Sequence, residues 1–152
     1  MKKAIAWVGL LFVLGFVRPA MAQDALPQFP GIKTIPVLED PQWAEYFRAH
    51  QPVKVVFGVS DPKAQLQESL TNAALIIRDL KANKVKYKIQ FVLYGNAVLA
   101  ADSFGQKYAS YSDLMQSLHA QGVEFRVCYN SLYSLHKDPS DVYSYMKVIP
   151  AG

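Results

Sequence analysis

Leu66, Leu70, Ala73, Ile77 and Leu80 recur at steps of four and three, and β-branched apolar runs flank them. The spacing puts all five on one face of a helix running to about Asn83. Burying its four large members is worth roughly 6–12 kcal/mol before entropy is counted. Before it, Val53-Lys54-Val55-Val56-Phe57-Gly58-Val59 is short, β-branched and bounded by Pro52 and Ser60-Asp61-Pro62, so it reads as a strand. After it, Ile89 to Tyr94 reads as a second strand, ended by Gly95-Asn96. Ser112 is placed to cap a second helix carrying Leu114, Met115 and Leu118, with Gly122 to terminate it. Val123 to Tyr129 gives a third strand that ends at Cys128. Asn130 to Leu135 starts a further helix, and Met146 to Ile149 is a fourth strand. Strands alternating with amphipathic helices imply an α/β domain with a mainly parallel sheet.

Upstream of this pattern, Pro27, Pro30, Pro36, Pro41 and Pro52 mark residues 23–52 as an extended lead-in on the domain surface. It contains one short helix, with Asp40 as N-cap and Pro41 in the first turn. Trp43, Phe47 and Tyr46 form its apolar stripe, which reads as core packing. Residues 1–22 have the three parts of a cleavable secretory signal: Lys2 and Lys3, an apolar run from Ala4 to Val17, and Ala20-Met21-Ala22. As a helix that run spans about 21 Å, short of a hydrocarbon core of about 30 Å. The expectation is therefore a soluble exported chain with no stable membrane span. The formal charge of +4 includes Lys2, Lys3 and Arg18, so cleavage removes three cations and leaves +1. No clustered basic face of the kind nucleic acid requires remains; Lys81, Lys84, Lys86 and Lys88 straddle a helix end and a strand start.

Ligands and reactive groups gather at the carboxyl ends of strands in open α/β sheets. Cys128, the one cysteine, falls there, with Asn130 and Ser131 at a helix start that favours a thiolate. A lone cysteine also fits an inert core residue or an intermolecular bridge. Tyr94, Asn96, Tyr129 and Asn130 are placed to line a pocket at the strand ends. His50, His119 and His136 have no zinc-ligand spacing with Cys128, and no metal site is expected. His119, on the helix before the third strand, could approach the sheet end, and His136, eight residues beyond Cys128, could help hold a thiolate. The three scattered histidines read first as surface or helix residues. No glycine-rich phosphate loop is present, so no nucleotide cofactor is expected.

The stretch Gln121-Gly122-Val123-Glu124-Phe125-Arg126-Val127-Cys128-Tyr129-Asn130-Ser131-Leu132 resembles the third-strand motif of the DsrE/DsrF-like family. Val53 to Ser60, Tyr94-Gly95-Asn96-Ala97-Val98 and Val148-Ile149-Pro150-Ala151-Gly152 match it in order, so the resemblance covers residues 53–152. It implies a small α/β domain with helices on both faces of the sheet, commonly assembled into homo-oligomers. It further implies that Cys128 carries a persulfide, exchanged with a donor or acceptor protein and without a cofactor; Asn96, Tyr129, Asn130 and Ser131 are the binding candidates by their place at the strand ends and helix start. Two departures stand out. Relatives usually continue beyond the Pro-Ala-Gly stretch with a helix and a strand, so the sheet is expected to be one strand short or edge-covered by a partner. The relay members also work in the reducing cytoplasm, whereas the leader here points to a periplasm. The leading expectation is an exported sulfur carrier. The alternatives are an oligomeric binding module with Cys128 inert in its core, and a thiol redox protein using an outside resolving thiol.

Overall fold

The computed structural model describes residues 26–37 and 39–152. The proposed leader, residues 1–22, and the start of the lead-in lie outside the described residues.

The first strand, β1 (Val53–Val59), spans the expected β-branched run. Its exit is held by Gln65, whose Oε1 accepts from Ser60 N–H, Ser60 Oγ–H and Asp61 N–H. The helix that follows, α2 (Leu66–Ala82), buries Leu66, Leu70, Ala73 and Ile77 completely and Leu80 almost so. Strand β2 (Tyr87–Leu93) begins two residues before the sequence-derived start. Tyr87 pairs in register with Val53, and its hydroxyl donates to the Gln121 carbonyl at 2.8 Å, which secures the earlier start. Helix α3 (Ser112–Ala120) corrects the expected cap: Ser112 is already helical, and no side chain caps this end. A single 3-10 turn, Ala109–Tyr111, runs straight into the helix, and Ser112 N–H bonds back to Ala109. At the other end Gly122, at φ +88°, returns its N–H to the His119 carbonyl, as expected of a terminating glycine. Strand β3 (Glu124–Cys128), helix α4 (Tyr129–Ser134) and strand β4 (Lys147–Ile149) complete the domain.

The sheet is wholly parallel, in the order β1-β2-β3-β4. Phe57, Phe91 and Phe125 are register partners across three strands, and their rings stack at 4.8 and 5.0 Å between centroids. With Ile89, Leu93 and Val127 they form the sheet side of one core, against α2 and α3. Strand residues of the other parity, Lys54, Val56, Lys88, Glu124 and Lys147, are exposed, Val56 at 66%. Among the described residues the sheet is therefore covered on one face, where the sequence reading placed helices on both. The strand order explains this. Right-handed crossovers that always step in the same direction stay on one side, and covering both faces needs a reversal of strand order. Strands β1 and β4 are the sheet edges. No helix among the described residues is long and apolar enough to cross a membrane.

The lead-in does more than lie on the surface. Phe29 is buried in the core, and the buried Arg78 donates from Nη1 to the Pro27 carbonyl at 2.9 Å. Helix α1 (Pro41–Ala49) has the expected Asp40 cap, whose Oδ1 accepts from Gln42 and Trp43 N–H. Its aromatic stripe is not core, however. Trp43 and Tyr46 are 57% and 59% exposed, Phe47 is half-buried, and only Ala44 is buried. Ala44 alone is buried by the domain, and Trp43 and Tyr46 stay near solvent.

A second tie closes the domain after α4. Asp102 meets Lys137 at 2.8 Å and bridges antiparallel to Val142, while Ser103 N–H bonds Asp141. The Lys137 hydrogen bond is the main cause of an Asp102 pKa below its ordinary 3.8; burial opposes it and further donors, chiefly Phe104 N–H, assist. A carboxylate with a depressed folded pKa stabilises above its unfolded value and loses that contribution as pH falls through the folded one. Lys137 is about one-third exposed, so solvent screening keeps the pair's worth small. Asp102→Asn should lower stability at neutral pH by about 1 kcal/mol, near 4 °C in Tm. The gap to wild type should close below about pH 4 in thermal melts; a gap that persists in acid would assign it to packing instead of charge.

Candidate functional site at the carboxyl ends of the strands

The three paired strands finish level with one another. Phe57, Phe91 and Phe125 share a register, so Ser60, Tyr94 and Cys128, each three residues on, arrive together at the sheet end. The loop after β2 is fixed there by Ser60, whose carbonyl accepts from Ala97 N–H at 3.0 Å. Gly95 sits between them at φ +53°, and a Cβ there would lie 3.2 Å from the Ser60 oxygen. Backbone conformation and close approach both require glycine at this position. The turn aims Gly95 N–H at Ser131 Oγ, 2.8 Å away. This single bond joins the β2 exit to α4.

Cys128 is the last residue of β3 and the N-cap of α4, in extended conformation. The first N–H groups of a helix lack intrahelical acceptors and are free to point at a neighbouring anion. Burial pushes the thiol pKa up. Against it stand a hydrogen bond from the Ser131 hydroxyl and backbone N–H donors from Ser131, Gly152 and Asn130, and together they hold the thiol below its ordinary 9.0. A hydroxyl has one proton and two acceptor sites. Ser131 Oγ accepts from Gly95, which leaves its proton for the sulfur. Gly95 N–H thus fixes the Ser131 hydroxyl at the start of α4, where it draws the Cys128 pKa down.

Cys128 is 5% exposed, and its cover is the segment 150–152. That segment follows β4, where Ile149 is the register partner of Cys128, and Asn130 N–H reaches the Pro150 carbonyl at 3.4 Å. A Cβ on Gly152 would lie 2.9 Å from Val92 Cγ1, 3.2 Å from Tyr94 Cβ and 3.4 Å from Cys128 Cβ. Glycine at 152 therefore lets the backbone lie close on the sheet beside Cys128, where its N–H helps lower the thiol pKa.

Of the residues singled out from sequence, Cys128, Asn130 and Ser131 come together, Asn130 through its backbone N–H and with its side chain exposed. Tyr129 is adjacent but 44% exposed, with its ring 6.4 Å from Tyr133. Asn96 is exposed on the 3-10 segment Gly95–Ala101 and has no side-chain hydrogen bond among the described residues. The histidines lie elsewhere. His119 Nδ1 contacts the Val123 carbonyl at the opposite end of β3, and its ring stacks on Tyr145. His136 is exposed beyond the far end of α4, and His50 Nδ1 contacts the Tyr46 carbonyl. No three His, Cys, Asp or Glu side chains cluster as a metal-ligand set among the described residues. The sequence reading missed the roles of Gly95 and Gly152. Gly95 was legible as a strand terminator; its N–H donation to Ser131 depends on a contact across 36 positions of chain.

A model of the DsrE/DsrF-like family matches residues 53–152, which span β1 through the segment that covers Cys128. A solved structure of a protein of unknown function from Methanobacterium thermoautotrophicum is similar at 26% identity, with a TM-score of 0.54, over 66% of this chain and 84% of that one. No curated protein matches. The parallel sheet, its order of elements and the family match over 53–152 together make this chain a member of the DsrE/DsrF-like family.

Proposed function

We propose that this protein is an exported sulfur carrier in which Cys128 accepts sulfur as a persulfide and passes it to a second protein. The observation that carries the reading is the place of Cys128 at the end of β3 and the N-cap of α4, beside a Ser131 hydroxyl fixed by Gly95 N–H, where polar donors draw the thiol pKa down against burial. Membership of a family that includes sulfur-relay subunits supports it, and Cys128 holds the motif position of the sulfur-bearing cysteine. The chemistry balances without an oxidant. The Cys128 thiolate attacks the outer sulfur of a donor persulfide, a new S–S bond forms at Cys128, and the donor leaves as its thiolate. Delivery is the same exchange run toward an acceptor thiolate. Segment 150–152 has to lift for either step, and the long Asn130–Pro150 hydrogen bond is a weak restraint on it.

Export to a periplasm rests on the leader features of residues 1–22. A homo-oligomer rests on the uncovered sheet face, because parallel sheets are normally buried on both sides. Val56, exposed on that face, is the apolar residue a second copy would cover.

One observation favours a second reading, a binding module with an inert cysteine: Cys128 is 5% exposed. Intact mass separates the two. After incubation with a low-molecular-weight persulfide, the exported wild-type chain should begin at Gln23 and gain one sulfur atom. Cys128→Ser should gain none, and Ser131→Ala should load several-fold more slowly with unchanged circular dichroism. Wild type that gains no sulfur while folded would establish the inert reading. For the assembly, Val56→Glu should sediment as a smaller species than wild type; an unchanged sedimentation coefficient would take the sheet face out of the interface.

A further inference from the structure

At the end of the sheet opposite Cys128, a cavity of about 310 Å³ opens between α1, α2 and the β1 edge. Its size falls at the lower end of the range for small-molecule sites, about 300–1,000 Å³. Trp43 and Phe47 of α1 form one wall, their ring centroids 4.6 Å apart and their planes inclined at 50°. Val55 and Ile76 form the opposite wall, and the ionisable groups in the lining are both carboxyls, Asp40 and Asp79. No lysine, arginine or histidine lines the cavity.

These groups differ in how far they are already engaged. Asp40 spends Oδ1 on the first turn of α1. Asp79 takes part in neither ion pair among the described residues. Burial raises its pKa and outweighs the opposing attraction of Arg78, its neighbour in sequence. The Arg78 guanidinium itself is turned to the Pro27 carbonyl. Asp79 is thus a half-buried negative charge without a direct counter-ion, beside two aromatic rings of which Trp43 is more than half exposed.

Aromatic faces and an unpaired carboxylate select one class of occupant. A neutral apolar molecule would fill the walls but deepen the burial of Asp79 without a partner. A hard metal ion would need an oxygen cage that aromatic and aliphatic walls do not supply. A cation with an apolar body satisfies both, its alkyl groups against the rings and its charge facing their electron-rich surfaces and the carboxylate. We propose that the cavity between α1 and α2 binds a small organic cation of the alkylated ammonium class, with Trp43 and Phe47 as the aromatic wall and Asp79 as the counter-charge. The site is independent of Cys128 and of the sulfur-carrier reading.

Trp43 is also the reporter, since the other tryptophan, Trp7, belongs to the proposed leader. Choline and its uncharged isostere, in which carbon replaces the quaternary nitrogen, are titrated into the exported protein and Trp43 fluorescence is followed. Choline should give a saturable change, and the isostere should bind about tenfold more weakly. Asp79→Asn should reduce choline to the level of the isostere with unchanged circular dichroism. Phe47→Leu, which keeps the charge, should weaken choline more than the isostere. Equal binding of the two probes, unchanged choline binding by Asp79→Asn, or no saturable response to choline would each overturn the proposal.

Discussion

The stacked ladder of Phe57, Phe91 and Phe125 is the contact on which the remaining geometry depends. Three large rings in register on one face of a parallel sheet leave β1, β2 and β3 a single alignment, since a slip of one residue would turn the rings out of the core. The same alignment sets the functional end of the domain. Ser60, Tyr94 and Cys128 each lie three residues past their strand's phenylalanine, which brings them to one edge. Core packing and site assembly are thus consequences of one register, and the chemistry at Cys128 rests on rings about 10 Å away along the strand.

At that edge two opposing effects act on one sulfur atom. Burial favours the neutral thiol, and a cysteine in apolar surroundings without donors would be inert. Here the donors are polar groups already fixed by the fold. Ser131 is oriented by Gly95 N–H, the loop that carries Gly95 by the Ser60 carbonyl through Ala97 N–H, and Gly152 by its close fit on Val92. Ser131 stays in place when charge appears on sulfur, the condition under which hydrogen-bond donors stabilise an anion most effectively, whereas the Gly152 donor leaves when its segment lifts. The cover over Cys128 supplies one of these donors, so the segment that shields the thiol also acidifies it.

Much of this was legible in the sequence because local signals and tertiary structure agreed. The five apolar positions of α2, the Val53–Val59 strand, the Asp40 cap and the Gly122 terminator all appear where the pattern puts them. The motif around Cys128 placed it correctly between β3 and α4. The failures have a common cause, a dependence on contacts distant in sequence. Tyr87 joins β2 through a bond to the Gln121 carbonyl, Ser112 loses its capping role to a preceding 3-10 turn, and Trp43 stays near solvent while Ala44 alone of α1 is buried. Which face a helix covers depends on strand order, which no periodicity encodes. The parts played by Gly95 and Gly152 likewise exist only once separate strands have been brought together.

The central claim, that fixed donors outweigh burial at Cys128, is tested most directly by the pH dependence of alkylation of the native thiol. Iodoacetamide rates measured from pH 5 to 10 on the folded protein give the Cys128 pKa without reference to any sulfur donor. The account predicts a single titration below the free-cysteine value of about 8.5. A titration above that value, or a thiol that reacts only after unfolding, would contradict it.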